Sequence, residues 1–297
     1  MVRLSTLTTL ICLVVCQFVV SAETRIRPVE ATHLQKLQKM VPRGVEFLRR
    51  MQNDDGSFSA ELGPGITAIA TTALLRSGVS ELDPVVAKGL QYLEQFAQDD
   101  GGLYAPESIY RNYETSLTMM CFTECKHPRF KAYLPRAQQF IQKIRWDEGE
   151  GHDLSSPSFG GAGYGKHKRP DLSNTTFFVE GLRAAGIDET DEAMQRALIF
   201  ISRCQNLETE HNTLPFSNKI GDGGFYYTGA AGGTSQAGVT ENGGLRSYGS
   251  MTYAGLKSMI YAGVNKDDAR VKAATKWISK NYDLEQNPGM RAGNDGL

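Results

Sequence analysis

The chain repeats one structural unit along most of its length, and this repetition constrains its fold more than any other feature. In the first unit, Val41, Val45 and Leu48 form an apolar stripe at helical spacing. A turn at residues 54–58 follows, and residues 66–75 are then apolar on nearly every face. The stripe predicts an amphipathic helix with one solvent-exposed face, and the second segment predicts a helix buried on both sides. Because such units bury their apolar surface by stacking on their neighbours, the repeats predict an all-α fold with two layers of helices.

The same order of stripe, turn and buried segment continues in the later units. Their turns are at residues 100–104, 159–164, 222–226 and 294–297, and their buried segments are at residues 113–125, 173–185 and 250–262. The fifth unit has a turn with no buried segment after it.

Asp83 is placed to cap an outer helix. Gly78 and Gly186 are placed to end inner helices, since glycine tolerates the left-handed conformation there.

The turn sequences also carry a family resemblance. Gln52 precedes Gly-Ser-Phe at residues 56–58, and Gln205 precedes Gly-Gly-Phe at residues 223–225. These segments are similar to the repeat of the prenyltransferase and squalene-cyclase superfamily, in which an outer helix ends in Gln and an Asp-Gly turn leads into a Thr/Ala-rich inner helix. The resemblance covers about residues 40–297. Three further segments look like a secreted bacterial branch of the superfamily that has no assigned reaction: residues 158–164, 169–175 and 249–257.

The resemblance implies an α/α-toroid, a double ring of helical hairpins around a central cavity. Here the ring is predicted to be incomplete at its C-terminal end, because the inner helix that should follow residues 287–297 is absent. A missing inner helix would expose the apolar sides of its neighbours. The expectation is therefore either a truncated chain or closure of the ring by residues 30–40 or by a partner subunit.

The N-terminus has the pattern of a secretory signal peptide. Arg3 is followed by the largely apolar residues 7–20, and Ser21 and Ala22 are small residues of the kind that a signal peptidase reads. The predicted division is a signal peptide at 1–22, an N-terminal segment at 23–40 and the toroid repeats at 41–297. The prediction is export to the periplasm or the outside of the cell after cleavage near Ala22. A membrane anchor and lipidation at Cys16 remain as alternatives, and no other stretch predicts a transmembrane segment.

Composition excludes some classes of partner. The formal net charge is −1, and no basic run is present, so nucleic-acid binding has no electrostatic support. Of five cysteines, Cys121, Cys125 and Cys204 lie beyond the signal peptide. An odd number of cysteines does not imply a disulfide framework. No cofactor is expected.

The catalytic signatures of the resembling enzymes are missing from the sequence. It contains no Asp-x-Asp-Asp acid motif and no Gly-Cys-Gly-Glu-Gln thioester motif. The inner segments 173–185 and 250–262 carry no Cys or His that could match the zinc ligands of protein prenyltransferases. Whether the protein is an enzyme is therefore left open. If it is one, the resemblance implies prenyltransferase- or terpene-cyclase-like chemistry.

A few side chains are candidates for chemistry or metal binding. Cys121 and Cys125 are four residues apart on a predicted helix, and His127 follows, so the three resemble a partial zinc site. The alternative is that the cysteines are buried as small apolar residues. His152 lies in an acidic loop, where it could serve acid–base chemistry or lie in a solvated surface loop.

Two aspartates complete the catalytic candidates. Asp171 stands at the start of an inner helix, where capping of the helix by Asp171 or Ser173 is the alternative reading. Asp222 belongs to the turn of the fourth unit.

Five residues are candidates to line the cavity and contact a ligand, because they lie at turns or at the starts of inner helices: Tyr164, Asn174, Tyr248, Met251 and Tyr253. Aromatic rings there could stabilise a cation through their π faces or stack on sugar rings. Ordinary packing of the long loop 205–248 is the alternative.

Three functions remain open. The first is a binding or scaffold protein that holds an apolar or isoprenoid-like small molecule and has none of the known catalytic motifs. The second is a terpene cyclase or prenyltransferase-like enzyme with unrecognised catalytic acids. The third is a carbohydrate-active toroid, which needs paired carboxylates across the cavity. Similarity of fold does not decide among them.

Overall fold

A computed structural model describes residues 31–165, 169–290 and 293 of the 297-residue chain. The predicted signal peptide, the cleavage point at Ala22 and the turn at residues 294–297 lie outside the described residues. The chain divides into two compact units, Met1–Gly44 and Val45–Leu297. The described end of the first unit is helical and exposes apolar side chains such as Leu37 and Met40.

Within the described residues all regular secondary structure is helical, and β-type pairing is limited to isolated bridges. The helices are α1 (Ala31–Met51), α2 (Pro64–Arg76), α3 (Pro84–Glu94), α4 (Arg111–Glu124), α5 (Pro128–Lys131), α6 (Leu134–Lys143), α7 (Leu172–Ala184), α8 (Glu192–Arg203), α9 (Gly249–Tyr261) and α10 (Ala269–Asn281). Short 3₁₀ turns occupy Ala60–Leu62 and Glu148–Glu150.

The second unit has the two layers that the repeats predict. The inner helices pack side by side in the order α2, α4, α7 and α9. The outer helices cover them, with α3 on α2, α6 on α4, α8 on α7 and α9, and α10 on α9. This is the arrangement of an α/α-toroid, so the predicted all-α fold class is confirmed.

The glycine turns join consecutive units because they fit closely against the next outer helix. Gly160 has a φ of 81°, and a Cβ atom built on it would overlap the carbonyl oxygen of Arg196 in α8. Two residues later, the N–H of Ala162 donates to Oγ1 of Thr175 in α7 at 3.0 Å. The same bond from turn to inner helix is made in the other units by Thr67, Thr115 and Thr252.

The glutamines at the outer-helix ends satisfy carbonyls, but those carbonyls lie outside their own helix. Nε2 of Gln52 donates to the carbonyl of Gly56 in the turn at 3.0 Å and to that of Val85 in α3 at 2.7 Å. Gln205 makes the matching pair of bonds in the fourth unit. Each glutamine therefore links its turn to the following outer helix.

The inner helices are buried, but the prediction that they are apolar on all faces is wrong for α4. Its buried polar residues are Asn112, Glu114, Thr115, Ser116 and Thr118. Several of them form hydrogen bonds to neighbouring segments. For example, Nδ2 of Asn112 donates to the carbonyl of Asn174 in α7 at 3.1 Å. Burial of these polar groups is tolerated where they are hydrogen-bonded.

The inner row ends at α9, and in the part of the chain that the structure describes no helix follows α10. Residues 287–288 lie at the start of α9, where the N–H of Gly249 donates to the carbonyl of Pro288 at 2.8 Å. Tyr253 and Ile260 of α9 are exposed. Closure of the ring by residues 30–40 or by a partner subunit stays a prediction. Within residues 31–165 and 169–290, no helix is long and apolar enough to cross a bilayer.

Candidate functional site

A cavity of about 700 Å³ lies at the N-terminal ends of three neighbouring inner helices. Ile66 of α2, Tyr113 and Glu114 of α4, and Ser173, Asn174 and Phe177 of α7 line it. The segment 105–110, which precedes α4, forms a further wall, and Tyr164 contributes from the turn of the third unit. Because consecutive inner helices start at the same level, the repeat brings these positions together.

Aromatic rings in perpendicular pairs form much of the wall. The centroids of Tyr113 and Phe177 are 4.8 Å apart with an interplanar angle of 90°. Those of Tyr110 and Tyr164 are 5.0 Å apart at 83°. Such edge-to-face pairs are favourable. Aromatic side chains therefore make up a large part of the cavity lining.

Glu114 places a carboxyl group in this apolar wall. Its Oε2 accepts a hydrogen bond from the N–H of Ala105 at 2.9 Å, and its Oε1 accepts one from the hydroxyl of Ser108 at 2.9 Å. These bonds hold the segment 105–110 in place. The side chain is 2% exposed, and burial raises the pKa of Glu114 above its ordinary value of 4.5. Gly63 leaves the space that Oε1 requires, since a Cβ atom there would lie 2.7 Å from it.

Asn174 connects the cavity to a buried aspartate. Its backbone N–H and its Nδ2 both donate to the carboxylate of Asp171 at 2.9–3.0 Å. Asp171 is the N-cap of α7 and does not line the cavity. Burial is the largest cause that raises the pKa of Asp171, while hydrogen bonds from Asn174 and Tyr227 oppose the shift. The aspartate thus positions Asn174, as expected of a helix cap.

Residues 64–227, more than half of the chain and including every inner helix that lines the cavity, match the squalene-hopene cyclase C-terminal domain family. The chain belongs to this family. A crystal structure of a protein from Actinoplanes is similar with a TM-score of 0.48 and 14% sequence identity. That similarity covers 81% of this chain and 64% of the other, so this chain spans less than two thirds of that protein. No curated protein matches the chain.

Of the cavity residues predicted in this squalene-hopene-cyclase-related chain, Tyr164 and Asn174 line the cavity and the other three do not. Tyr248 and Met251 are buried in the apolar core, and Tyr253 is 41% exposed on α9. Glu114, Tyr113 and Phe177 were missed. The signal that could have found Glu114 is its register in the repeat. It precedes Thr115 as Ile66 precedes Thr67 and Asn174 precedes Thr175.

His152 and Asp222 lie apart from the cavity. Nδ1 of His152 is 2.7 Å from the hydroxyl of Ser156, and its ring contacts that of Trp146. Oδ2 of Asp222 accepts a hydrogen bond from Nε1 of Trp277 at 3.0 Å. Both side chains hold loops in place in this structure.

The side chains of Cys121, Cys125 and His127 are buried or hydrogen-bonded to nearby residues. Cys121 is fully buried, and burial raises the pKa of its thiol to about 12. Cys125 is the C-cap of α4, and its Sγ donates to Oε2 of Glu81 at 3.2 Å. Nδ1 of His127 accepts a hydrogen bond from the N–H of Arg129. Across the described ranges, no group of three or more Cys, His, Asp or Glu is arranged to hold a metal ion.

Proposed function

We propose that this protein binds an apolar, isoprenoid-like small molecule in the cavity at the start of α2, α4 and α7. The observation that carries the proposal is the cavity itself, with about 700 Å³ and a wall of aromatic and aliphatic side chains. Binding sites for small molecules typically measure about 300–1,000 Å³ and are mainly apolar with a few fixed polar groups. Here the polar groups in the lining are Glu61, Glu107, Ser108, Glu114, Ser173 and Asn174.

Binding can be tested with the neutral fluorescent probe N-phenyl-1-naphthylamine and its displacement by squalene or farnesol. We expect saturable probe binding that these molecules reverse. Ile66→Trp should reduce the binding at least about tenfold, because the indole fills cavity space. Leu82→Trp is the control, since Leu82 is 83% exposed and outside the cavity. Equal binding by both variants would rule out this cavity as the site.

We also propose that the mature protein is exported. The support is the sequence of residues 1–22, which has the charge, apolar stretch and small residues of a signal peptide. N-terminal sequencing of protein recovered from the producing cells should give a first residue near Glu23. Recovery with Met1 intact would contradict export by this route.

A cyclase-like enzyme is the second candidate function, and Glu114 is the observation that favours it. A buried carboxyl group with a raised pKa, facing an aromatic cavity, is a candidate general acid. Incubation with squalene and with farnesyl diphosphate, followed by mass spectrometry, should yield a cyclised product that Glu114→Gln abolishes. Absence of product from the wild-type protein would leave the binding function alone. The carbohydrate-active alternative stays a prediction.

A further inference from the structure

We propose that the polar end of the cavity binds an organic ammonium group, so that the preferred ligand is a cationic amphiphile with an apolar tail. This inference rests on the proposed function, because it assumes that the cavity takes an apolar molecule. It adds the chemical class of the head group. The charge of the lining, its aromatic rings and one unused hydrogen-bond acceptor support it.

The charged side chains of the described lining are all acidic. Glu61, Glu107 and Glu114 line the cavity, and no Lys or Arg does so among the residues that the structure describes. The nearby Arg111 is not among the lining residues. Its guanidinium lies 4.7 Å from the centroid of the Tyr104 ring, and its Nε donates to the carbonyl of the wall residue Ser108. The described wall therefore presents negative charge, which attracts a cation and repels a phosphate.

Glu114 makes this charge effective because it is buried. Within the described ranges no basic side chain forms an ion pair with its carboxylate, and its two partners are an amide N–H and a hydroxyl. A buried carboxylate without a cation nearby is unfavourable. An ammonium group in the cavity would supply that cation at short range and low solvent exposure, where the attraction is strongest.

The aromatic rings provide a second contact for the same group. Tyr113 and Phe177 meet at 90°, and Tyr110 stands edge to face with Tyr164. In the part of the chain that is described, no Lys or Arg stacks on Tyr110, Tyr113 or Phe177. Aromatic rings that line a cavity can offer π faces to a cation inside it, as in sites that recognise quaternary ammonium groups.

Asn174 supplies an unused acceptor. The residue lines the cavity and is 1% exposed. Both hydrogen bonds of its amide nitrogen go to Asp171, and its Oδ1 has no partner in the structure. A buried acceptor without a partner is unfavourable, and a ligand N–H or O–H that reaches Oδ1 when the side chain moves would remove that penalty. A phosphate oxygen has no proton to donate when ionised.

The test compares three ligands with one tail and different heads: dodecyltrimethylammonium, dodecanol and dodecyl phosphate. Isothermal titration calorimetry uses the full-length protein at fixed ionic strength, below the micelle concentration of each compound. We expect the trimethylammonium compound to bind about tenfold or more tightly than dodecanol, and the phosphate to bind most weakly. Dodecylamine, which can donate to Asn174, should bind at least as tightly as the trimethylammonium compound.

Variants identify the groups that cause the preference. Glu114→Gln should reduce the preference for the ammonium head over the alcohol to less than about threefold. Glu124→Gln is the matched control, because Glu124 lies at the other end of α4 and pairs with Arg76 outside the cavity. Tyr113→Phe should keep the preference and Tyr113→Leu should lower it, which tests the rings without touching the carboxylate. Circular dichroism checks that each variant folds.

The outcomes separate this inference from the proposed function. Equal binding of dodecanol and the trimethylammonium compound, or tightest binding of dodecyl phosphate, would overturn the ammonium inference and leave apolar binding intact. Failure of all the compounds to bind would overturn both. An ammonium preference that Glu124→Gln lowers as much as Glu114→Gln does would also overturn it.

Discussion

The carboxyl group of Glu114 lies where the wall segment 105–110 meets the cavity. Its carboxylate holds the wall segment 105–110 through Ala105 and Ser108, and it also faces the cavity. A carboxylate in such a place is stabilised by its hydrogen bonds and destabilised by its burial. Because burial is the larger effect, the pKa of Glu114 is raised.

This pKa shift predicts a pH dependence of stability. The folded state holds the Glu114 proton more tightly than the unfolded chain does, so protonation favours folding at low pH. That contribution is lost as the pH rises through the folded-state pKa, which lies above 4.5. The free energy of unfolding of the wild type, minus that of Glu114→Gln, should therefore decrease as the pH rises from about 4 to about 7.

Urea unfolding of both proteins at the two pH values measures the difference. Comparing the two proteins cancels the titration of every other group to first order. A difference that stays constant or rises with pH would contradict the assigned shift.

At this scale the sequence predicted only part of the site. The position of Asp171 before an inner helix left capping, by Asp171 or Ser173, as the alternative to a catalytic role. Asp171 is the cap of α7, and capping is a local property. Tyr164 and Asn174 were also placed in the cavity. Glu114 was missed because a glutamate in a helix is normally exposed, and its burial depends on the neighbouring helix α2 and the space at Gly63.

At the scale of elements, the helices were predictable because their signals are local. The segment predicted at residues 66–75 is the helix Pro64–Arg76, and Gly78 follows it with a φ of 83°. The packing between units was not predictable from those signals. The glycine of each turn lacks a side chain, which lets the next outer helix approach.

Two glycines with similar backbone angles allow the effect of backbone strain to be distinguished from that of close packing against the next helix. Gly160 and Gly186 have φ values of 81° and 88°. A Cβ atom on Gly160 would collide with the backbone of Arg196, whereas nothing lies within 4 Å of one on Gly186. We expect Gly186→Ala to lower the free energy of unfolding by about 1–2 kcal/mol through backbone strain alone. Gly160→Ala should lower it by about 3 kcal/mol or more, because overlap adds to strain.

Chemical unfolding of the two variants under the same conditions measures both losses. Equal losses would contradict the role of the turn glycine in joining the units. A larger loss for Gly186→Ala would contradict it more strongly.

At the scale of the whole molecule, the repeat accounts for the cavity. Stacking of similar units aligns the starts of α2, α4 and α7, and residues at matching positions in the repeat then face one space. The same repetition predicted a cavity before its lining was known. Its chemistry could not be predicted in the same way, because residues from different units carry it and the units differ in sequence at those positions.

Native mass spectrometry of protein purified from its source cells shows whether this space holds an apolar ligand. Wild-type protein and Ile66→Trp would be compared without added ligand. We expect a bound small molecule on the wild-type protein and its loss from the Ile66→Trp variant, with circular dichroism unchanged. A wild-type protein that carries no ligand, or a ligand retained in full by the Ile66→Trp variant, would contradict the proposed binding.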